Sequence, residues 1–186
     1  MSGQDRWPPI YDSTDLEDAI KQLSSSADVE KNFYIKGGSP DVGFCQGDII
    51  RLGSGVPVIW EDGKPAVQSS SEYWLIIGNT CDISRPVETL EWSQLAPIVK
   101  INKQVSQENL DSFLKYQYSR RFYLPPWKQE CANELYFADF VRPVTIHKTA
   151  LFKTTIESQM SRFSWLLLHS CLVRFLARDD GRFEAS

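Results

Sequence analysis

Apolar side chains recur with helical spacing near the beginning of the chain, which predicts an amphipathic helix there. The stripe consists of Leu16, Ala19, Ile20 and Leu23. Thr14 and Glu17 have the spacing of a capping box, in which each side chain binds a backbone N–H of the first turn. We therefore expect the helix to begin at Thr14 and to end at the serines of 24–26.

From residue 44 to residue 101 the pattern changes to short apolar runs, which are typical of β-strands. The runs cover residues 49–52, 56–60, 64–67, 73–77 and 95–101. Asp62 and Gly63 lie between the second and third runs and predict a hairpin turn. The run 73–77 is apolar throughout, so we expect a central strand covered on both faces. Pro97 has no backbone N–H, which predicts the start of a strand or an edge strand.

The second half of the chain adds a helix, three short strands and a final helix. Ser106 can cap a helix over 106–118. The apolar stripe of this helix contains Leu110, Phe113, Leu114 and Tyr118. Short strands are expected at 121–124, 135–141 and 144–147. Thr154 and Glu157 repeat the capping-box spacing and predict a final helix over residues 156–177.

The final predicted helix carries two apolar stripes. The first contains Met160, Phe163, Leu167 and Cys171, and the second contains Trp165, Leu168, Leu172 and Leu176. One stripe is enough to pack a helix on a sheet, so the second predicts an interface. Either the rest of the domain or another chain, as a homodimer or a protein partner, would cover it. Both alternatives stay open.

This order of elements predicts an α+β fold, in which N-terminal, inserted and C-terminal helices pack on a small curved antiparallel sheet or barrel. Residues 1–43 would form an arm with the first helix. Residues 44–186 would form the main domain, with a helical insertion at 104–119 and the C-terminal helix at 156–177.

The charge is unevenly distributed along the chain. Its 20 basic and 24 acidic residues give a net charge of −4, which argues against a general nucleic-acid coat protein. Residues 1–97 carry 7 basic and 15 acidic side chains, whereas residues 98–153 carry 9 basic and 5 acidic ones. The two segments either form separate binding faces or simply keep the surface solvated.

The four cysteines do not have the spacing of a metal site. They are Cys45, Cys81, Cys131 and Cys171, and only two histidines accompany them. We expect no metal, no cofactor and no disulfide. The N-terminus shows no secretory signal, and the most apolar run, 163–176, contains charged and polar residues and is too short to cross a membrane. The chain is therefore predicted to be cytoplasmic, with reduced thiols.

Three apolar segments resemble one family. They are Gly47-Asp48-Ile49-Ile50, Trp74-Leu75-Ile76-Ile77 and Leu95-Ala96-Pro97-Ile98-Val99. In this order, and with a closing strand and helix, they resemble the MazF/PemK toxin superfamily over roughly residues 44–101 and 135–177. The resemblance implies an SH3-like β-barrel with a C-terminal helix. The chain is also similar to a group of bacterial proteins that share its GDI, TCD and RRFYLPP segments.

The catalytic residues of that superfamily do not carry over. Members that cut RNA use an arginine just before the second core strand and a serine or threonine after the proline of the third. Here the corresponding segments are Glu72-Tyr73 and Pro97-Ile98-Val99. Glu72 would repel a scissile phosphate, and Val99 has no hydroxyl. The resemblance therefore favours a non-catalytic protein-binding module of a bacterial toxin–antitoxin or defence system.

Other residues offer alternatives to a protein-binding module. Cys81 beside Asp82 suggests a thiol nucleophile with His147 or His169 as its base, although the neighbouring Asp82 would disfavour the thiolate. The alternative that we favour is a small buried Cys81, with Asp82 capping or bracing the loop. Arg120, Arg121 and Tyr123 lie in an aromatic-rich stretch that suits RNA, and His147 would move the proton in an endoribonuclease with a non-standard site. A half-buried strand whose arginines pair with acids explains that stretch as well.

Overall fold

The computed structural model describes residues 13–35, 43–52, 58–61, 64–67, 71–101 and 106–177. The helices are α1 (Ser13–Ser24), α2 (Ala27–Lys31), α3 (Thr80–Ile83), α4 (Gln107–Leu114), α5 (Lys148–Leu151) and α6 (Arg162–Ala177). The strands are β1 (Ile49–Arg51), β2 (Val58–Glu61), β3 (Lys64–Val67), β4 (Tyr73–Ile76), β5 (Trp92–Lys100), β6 (Arg121–Leu124), β7 (Tyr136–Asp139), β8 (Val144–His147) and β9 (Thr155–Ser158).

Seven of these strands form one antiparallel sheet that curls around β5. Its order is β6-β7-β5-β4-β1-β9, and β8 also pairs with β5. The strand β5 is long enough for two partners on one edge, since β8 pairs with Trp92–Leu95 and β7 with Ile98–Lys100. The fold is therefore α+β with a curved antiparallel sheet and packed helices, as the sequence predicts. The strands β2 and β3 pair in antiparallel orientation with Glu61 opposite Lys64, whereas the predicted turn residues Asp62 and Gly63 lie outside the described residues.

The central strand β4 is buried on both faces, which confirms the prediction for its apolar run. Leu75 belongs to the larger core, beneath α1 and α6. Trp74 and Ile76 point into a second, smaller core that contains Ile83 and Leu151. The side chains of Trp74, Leu75 and Ile76 are fully buried. The sheet therefore separates two apolar layers, and the loop after β4 emerges between them.

Pro97 lies in the middle of the long central strand, so the prediction that it starts a strand or marks an edge is wrong. It pairs with Trp74 of β4. On the other edge of β5, the pairing with β8 ends at Leu95 and the pairing with β7 begins at Ile98. The missing N–H of Pro97 falls between these two partners and interrupts neither, which is why a central strand tolerates it.

The final helix begins at Arg162 rather than at residue 156, so the predicted range 156–177 is wrong at its start. Residues Thr155–Ser158 form β9, in which Ile156 pairs with Ile50 of β1. Thr154 does not cap a helix, because its hydroxyl donates to the carbonyl of Leu151. Pairing with the sheet edge overrides the local capping signal.

The first and last helices are joined by a buried arginine. Arg174 of α6 donates from Nη1 to both carboxylate oxygens of Glu17 in α1, each at 3.2 Å. Its Nη2 donates to the carbonyls of Tyr116 and Tyr118, which follow α4. Because Glu17 binds Arg174, its carboxylate stabilises tertiary packing between three segments of the chain.

The apolar residues of α6 are partly covered by the chain itself. Leu168 and Leu172 of the predicted interface stripe are buried in the larger core, together with the side chain of Ile20 from α1. Trp165 is half-buried, whereas Leu176 is 78% exposed. The N-terminal helices α1 and α2 therefore pack against α6. An interface with another chain at Trp165 and Leu176 stays a prediction.

The inserted helix α4 is shorter than the predicted range. Ser106 caps it as expected, since its hydroxyl accepts the N–H of Asn109. The helix ends at Leu114 because Tyr116 adopts a left-handed conformation with φ of 57°. An aromatic residue is unusual at such a position. The buried ring of Tyr116 packs on Phe122 with centroids 5.0 Å apart, which stabilises this conformation.

Candidate binding cleft at the end of the central strand

A cleft opens where the chain leaves the central strand β4 and turns into the short helix α3. Its volume is about 430 Å³, within the range of ligand-binding pockets in proteins. It is lined by Gln46, Ile77, Gly78, Asn79, Asp82, Leu90, Trp92, Ser93, Gln94 and Thr145. The cleft therefore lies between residues 79–82, which include the TCD segment noted in the sequence, and the beginning of β5.

The segment beside the cleft is held from within by Asn79 and Lys148. Asn79 caps α3, because its Oδ1 accepts the N–H of Cys81 at 2.8 Å. The ammonium group of Lys148 is fully buried and donates to the carbonyl oxygens of Asp82 and Arg85. The carboxylate of Asp82 is left half-exposed and lies 3.6 Å from the guanidinium of Arg85. Bracing the loop is therefore the role of Asn79 and Lys148.

The floor of the cleft requires a glycine at position 78. A Cβ atom there would lie 2.5 Å from the Ser93 hydroxyl and 3.1 Å from the Gln94 backbone nitrogen. Ser93 is only 6% exposed, and its hydroxyl has no hydrogen-bond partner among the described residues. A buried polar group without a partner is uncommon, and here the close approach of Gly78 keeps the hydroxyl out of contact with solvent.

Trp92 lines the cleft and contacts His147, which lies next to it on β8. The Trp92 side chain is 51% exposed, and its ring meets the His147 ring edge to face, with centroids 5.1 Å apart. The Nδ1 atom of His147 lies 2.8 Å from the hydroxyl of Thr149. Two candidate catalytic residues, Asp82 and His147, therefore contribute to one surface of the protein, beside an exposed aromatic ring.

The third candidate catalytic residue, Cys81, is exposed on α3 next to this surface. Among the described residues, no hydrogen bond joins its sulfur to either histidine. His169 lies on α6, where its ring packs on Trp165 with centroids 5.3 Å apart. A thiol nucleophile needs a base within hydrogen-bonding reach, so the structure contains no assembled Cys–His pair at this site.

A buried polar network behind the cleft is the feature that sequence reasoning missed. Gln46 donates from Nε2 to the carbonyl of Ile77, while its Oε1 accepts the indole N–H of Trp165. Next to it, the carboxylate of Asp48 is only 2% exposed and accepts the N–H of Cys45 at 2.8 Å. Burial raises the pKa of Asp48 to about 6. The signal was the GDI segment, where a carboxylate directly precedes an apolar strand.

The candidate RNA-binding residues lie elsewhere on the sheet. The guanidinium of Arg121, on the terminal strand β6, lies 4.9 Å from the ring centroid of Phe137. Tyr123 is half-buried, with its ring 5.5 Å from that of Phe113, and burial raises the pKa of its hydroxyl. Tyr123 is therefore a packing residue rather than an open platform for bases, while Arg120 lies exposed in the preceding turn.

Arg120 and Arg121 lie beside one half of β5, and His147 lies beside the other. His147 pairs with Trp92, whereas the residue that follows Arg121 is joined through β7 to Ile98. Six residues of extended strand span roughly 20 Å. The structure does not bring Arg120 and Arg121 together with His147, so a ribonuclease site built from these three residues is not assembled.

Basic side chains of the segment 98–153 have acidic neighbours. Lys100 lies 2.8 Å from Glu134. Lys128 lies 3.2 Å from Glu130. Its ammonium group also donates a hydrogen bond to the hydroxyl of Tyr73, which raises the pKa of Lys128. These contacts reduce the charge available for phosphate binding, which agrees with the interpretation that the segment is a solvated surface.

The positions that correspond to the superfamily's catalytic residues have structural contacts here. Glu72 forms an ion pair with Arg51 of β1. Tyr73 packs on Trp127, and Val99 pairs with Phe137 within the sheet. Each of the three residues therefore has a structural role in this fold.

The described residues show neither paired thiols nor a cluster of metal-binding side chains. All four cysteines are free, and Cys131 and Cys171 are buried. No cluster of three histidine, cysteine or acidic side chains suits a metal ion in these ranges. In the same ranges, every helix is too short or too polar to span a lipid bilayer.

Comparison of the chain with protein-family models, with curated proteins and with solved structures found no match in any of the three. The resemblance to the MazF/PemK superfamily therefore stays a prediction from short sequence segments.

Proposed function

We propose that the protein is a non-catalytic binding module that holds a protein partner in the cleft between Asp82 and Trp92. The toxin–antitoxin or defence setting is carried over from the sequence resemblance and is part of the same proposal. The observation that carries it is the composition of the cleft: an exposed aromatic ring and several hydrogen-bonding groups surround a pocket without an assembled nucleophile–base pair.

The charge of the cleft favours a polypeptide over a nucleic acid. Among its described lining residues, Asp82 alone carries a charge. Glu88 and Glu91 lie exposed on the connection between α3 and β5. Nucleic-acid sites neutralise phosphates with lysine and arginine, whereas these three carboxylates repel them. A polypeptide can offer the cleft apolar, polar or cationic side chains.

An exposed tryptophan beside a polar pocket is typical of a protein-binding surface. Tryptophan is enriched among the residues that dominate binding energy, because its ring buries a large area and its N–H remains available. Trp92 is anchored on β5 and next to β8, so its position is fixed before a partner arrives. A rigid anchor reduces the entropy lost on binding.

Selection from a random peptide display library tests the proposal directly. We expect the wild type to enrich peptides that the Trp92→Leu variant does not enrich. The Phe152→Leu variant is the matched control, since Phe152 is also an exposed aromatic residue but does not line the cleft. Enrichment that is equal for wild type and Trp92→Leu, or no enrichment, would contradict the proposal.

A parallel assay with a mixed RNA pool addresses the ribonuclease alternative. We expect the RNA to stay intact and unbound at physiological ionic strength. Cleavage by the wild type that His147→Ala, or the combined Arg120→Ala and Arg121→Ala replacement, abolishes would overturn the binding module and replace it with a nuclease.

A further inference from the structure

We infer that the cleft binds an arginine side chain of the partner, with its guanidinium group between the Asp82 carboxylate and the Trp92 ring. This inference rests on the proposed function and adds the chemical class of the ligand. It follows from the charge, the exposed ring and the hydrogen-bonding groups of the cleft.

The carboxylate of Asp82 is the charged group that a cationic ligand would meet. Its side chain is 48% exposed, and its backbone carbonyl is fixed by Lys148. A carboxylate that is held in place pairs with the planar fork of a guanidinium through two parallel hydrogen bonds. The guanidinium of Arg85 lies 3.6 Å from this carboxylate. That distance is too long for a hydrogen bond, so Arg85 is near Asp82 without being hydrogen-bonded to it.

Trp92 supplies a second surface suited to a cation. Tryptophan gives the strongest cation–π interaction of the aromatic residues, and arginine engages it more often than lysine does. The ring is half-exposed and lines the same cleft as Asp82. A flat guanidinium can therefore contact the ring while its N–H groups remain directed at the carboxylate.

The neutral groups of the cleft also favour a ligand with several donors. The side chains of Gln94 and Thr145 offer acceptor oxygens at the cleft wall. A guanidinium carries five N–H donors in a fixed plane, whereas the three donors of an ammonium radiate from one point. Arginine should therefore bind more tightly than lysine.

Titration with blocked amino acids, followed by NMR of the Trp92 indole N–H, tests the inference. The probes are the N-acetyl methylamides of arginine, lysine and norleucine, with guanosine monophosphate as the nucleotide probe. A ligand of this size that is well matched binds with a Kd on the order of 1 mM. We expect arginine to reach this range and lysine to bind at least about threefold more weakly, in line with the smaller cation–π and single-point contacts of an ammonium.

Three variants assign the effect to the proposed contacts. Asp82→Asn should weaken arginine binding by about tenfold, as expected for the loss of one charge-assisted pair. Glu88→Gln removes the same charge from an exposed position on the following turn and should leave the affinity unchanged. Arg85→Gln should strengthen binding, because it removes the internal competitor for Asp82.

Several results would overturn the inference. They are an absence of arginine binding, equal binding of arginine and norleucine, equal losses in Asp82→Asn and Glu88→Gln, or weaker binding in Arg85→Gln. Saturable binding of guanosine monophosphate without arginine binding would indicate a nucleobase site instead. The inference and the proposed function can be told apart. Selected peptides that bind through Trp92 but carry no arginine would contradict the arginine inference and leave the protein-binding module in place.

Discussion

The carboxylate of Asp48 is a buried acidic side chain whose pKa departs from its ordinary value. Burial raises its pKa from 3.8 to about 6, and the N–H of Cys45 only partly offsets this. In the unfolded chain the group titrates near its ordinary value. The folded state therefore holds the proton more tightly, so the stability due to Asp48 is present below about pH 4 and is lost as the pH rises through 6.

Asp48→Asn should isolate this effect. The amide oxygen can still accept the N–H of Cys45, and the variant carries no charge to bury. Between pH 4.5 and pH 7.5 the variant should gain about 2 kcal/mol in the free energy of unfolding relative to the wild type. Urea denaturation at both pH values measures the difference. Two curves that run parallel with pH would show that Asp48 titrates normally.

Lys148 is the second residue whose burial has a measurable consequence. Lys148→Met keeps the length of the side chain but leaves the carbonyls of Asp82 and Arg85 without their donor. We expect a loss of about 2–3 kcal/mol in the free energy of unfolding. Amide exchange at Ile83 and Ser84 should become faster, because the loop loses its brace.

Lys153→Met is the matched control, since Lys153 is exposed next to the same short helix α5. It should change the stability by less than about 0.5 kcal/mol. Equal losses in the two variants would mean that the buried hydrogen bonds of Lys148 contribute nothing specific.

At the scale of elements, the floor of the cleft depends on the approach of the loop after β4 to β5. Gly78→Ala should destabilise the protein by about 1–3 kcal/mol, because the new Cβ meets the Ser93 hydroxyl at 2.5 Å. Ser93→Ala alone should change little, since it removes a hydroxyl without a partner among the described residues. The double variant should recover part of the loss.

A double-mutant cycle on these two positions gives the coupling energy. The recovery should be incomplete, since the Gln94 nitrogen at 3.1 Å from the new Cβ stays in place. Strict additivity of the two single effects would contradict the close contact between Gly78 and Ser93.

The association of α1 with α6 depends on Arg174. Arg174→Met should lower the free energy of unfolding by about 3 kcal/mol, because Glu17 and the carbonyls of Tyr116 and Tyr118 lose their common donor. Arg162→Met, in the exposed first turn of the same helix, is the control. Urea unfolding of both variants measures the difference, and similar effects would contradict a specific role for Arg174.

The elements that the sequence predicts correctly are those whose own periodicity decides them. The stripe from Leu16 to Leu23 yields α1, and the apolar run around Trp74 yields the central strand. The errors arise where a distant partner decides. The segment Thr155–Ser158 carries a helix-capping signal, yet pairing with β1 makes it a strand. Pro97 is tolerated because the pairing of β5 with β8 ends before it and the pairing of β5 with β7 begins after it.

The same distinction applies to the candidate site. The segment from Asn79 to Asp82 could be singled out because it follows the central strand. The burial of Lys148 and the approach of Ser93 to Gly78 could not, since both depend on how α5 and β5 return to this loop. The RNA-binding stretch was plausible from composition, but the sheet uses Tyr123 for packing and separates Arg121 from His147.

At the scale of the whole molecule, the two candidate surfaces occupy different ends of the curved sheet. The cleft lies at the first half of β5 and carries Asp82 with the exposed Glu88 and Glu91 nearby. The arginines of β6 lie beside the second half of that strand, through β7. The acidic end suits a polypeptide ligand, and the arginine end would suit a phosphate backbone. The end of the sheet at which a ligand binds should therefore indicate whether that ligand is a polypeptide or a nucleic acid.

The claim that the cleft binds a polypeptide can be tested by NMR on the isotope-labelled protein. One titration adds a library-selected peptide, and a second adds single-stranded RNA. We expect the peptide to shift the amide signals of residues 77–82 and 92–94. RNA should shift neither these signals nor those of residues 120–123. Shifts at 120–123 on adding RNA, together with a peptide that leaves the signals of 77–82 and 92–94 unmoved, would contradict a protein-binding cleft.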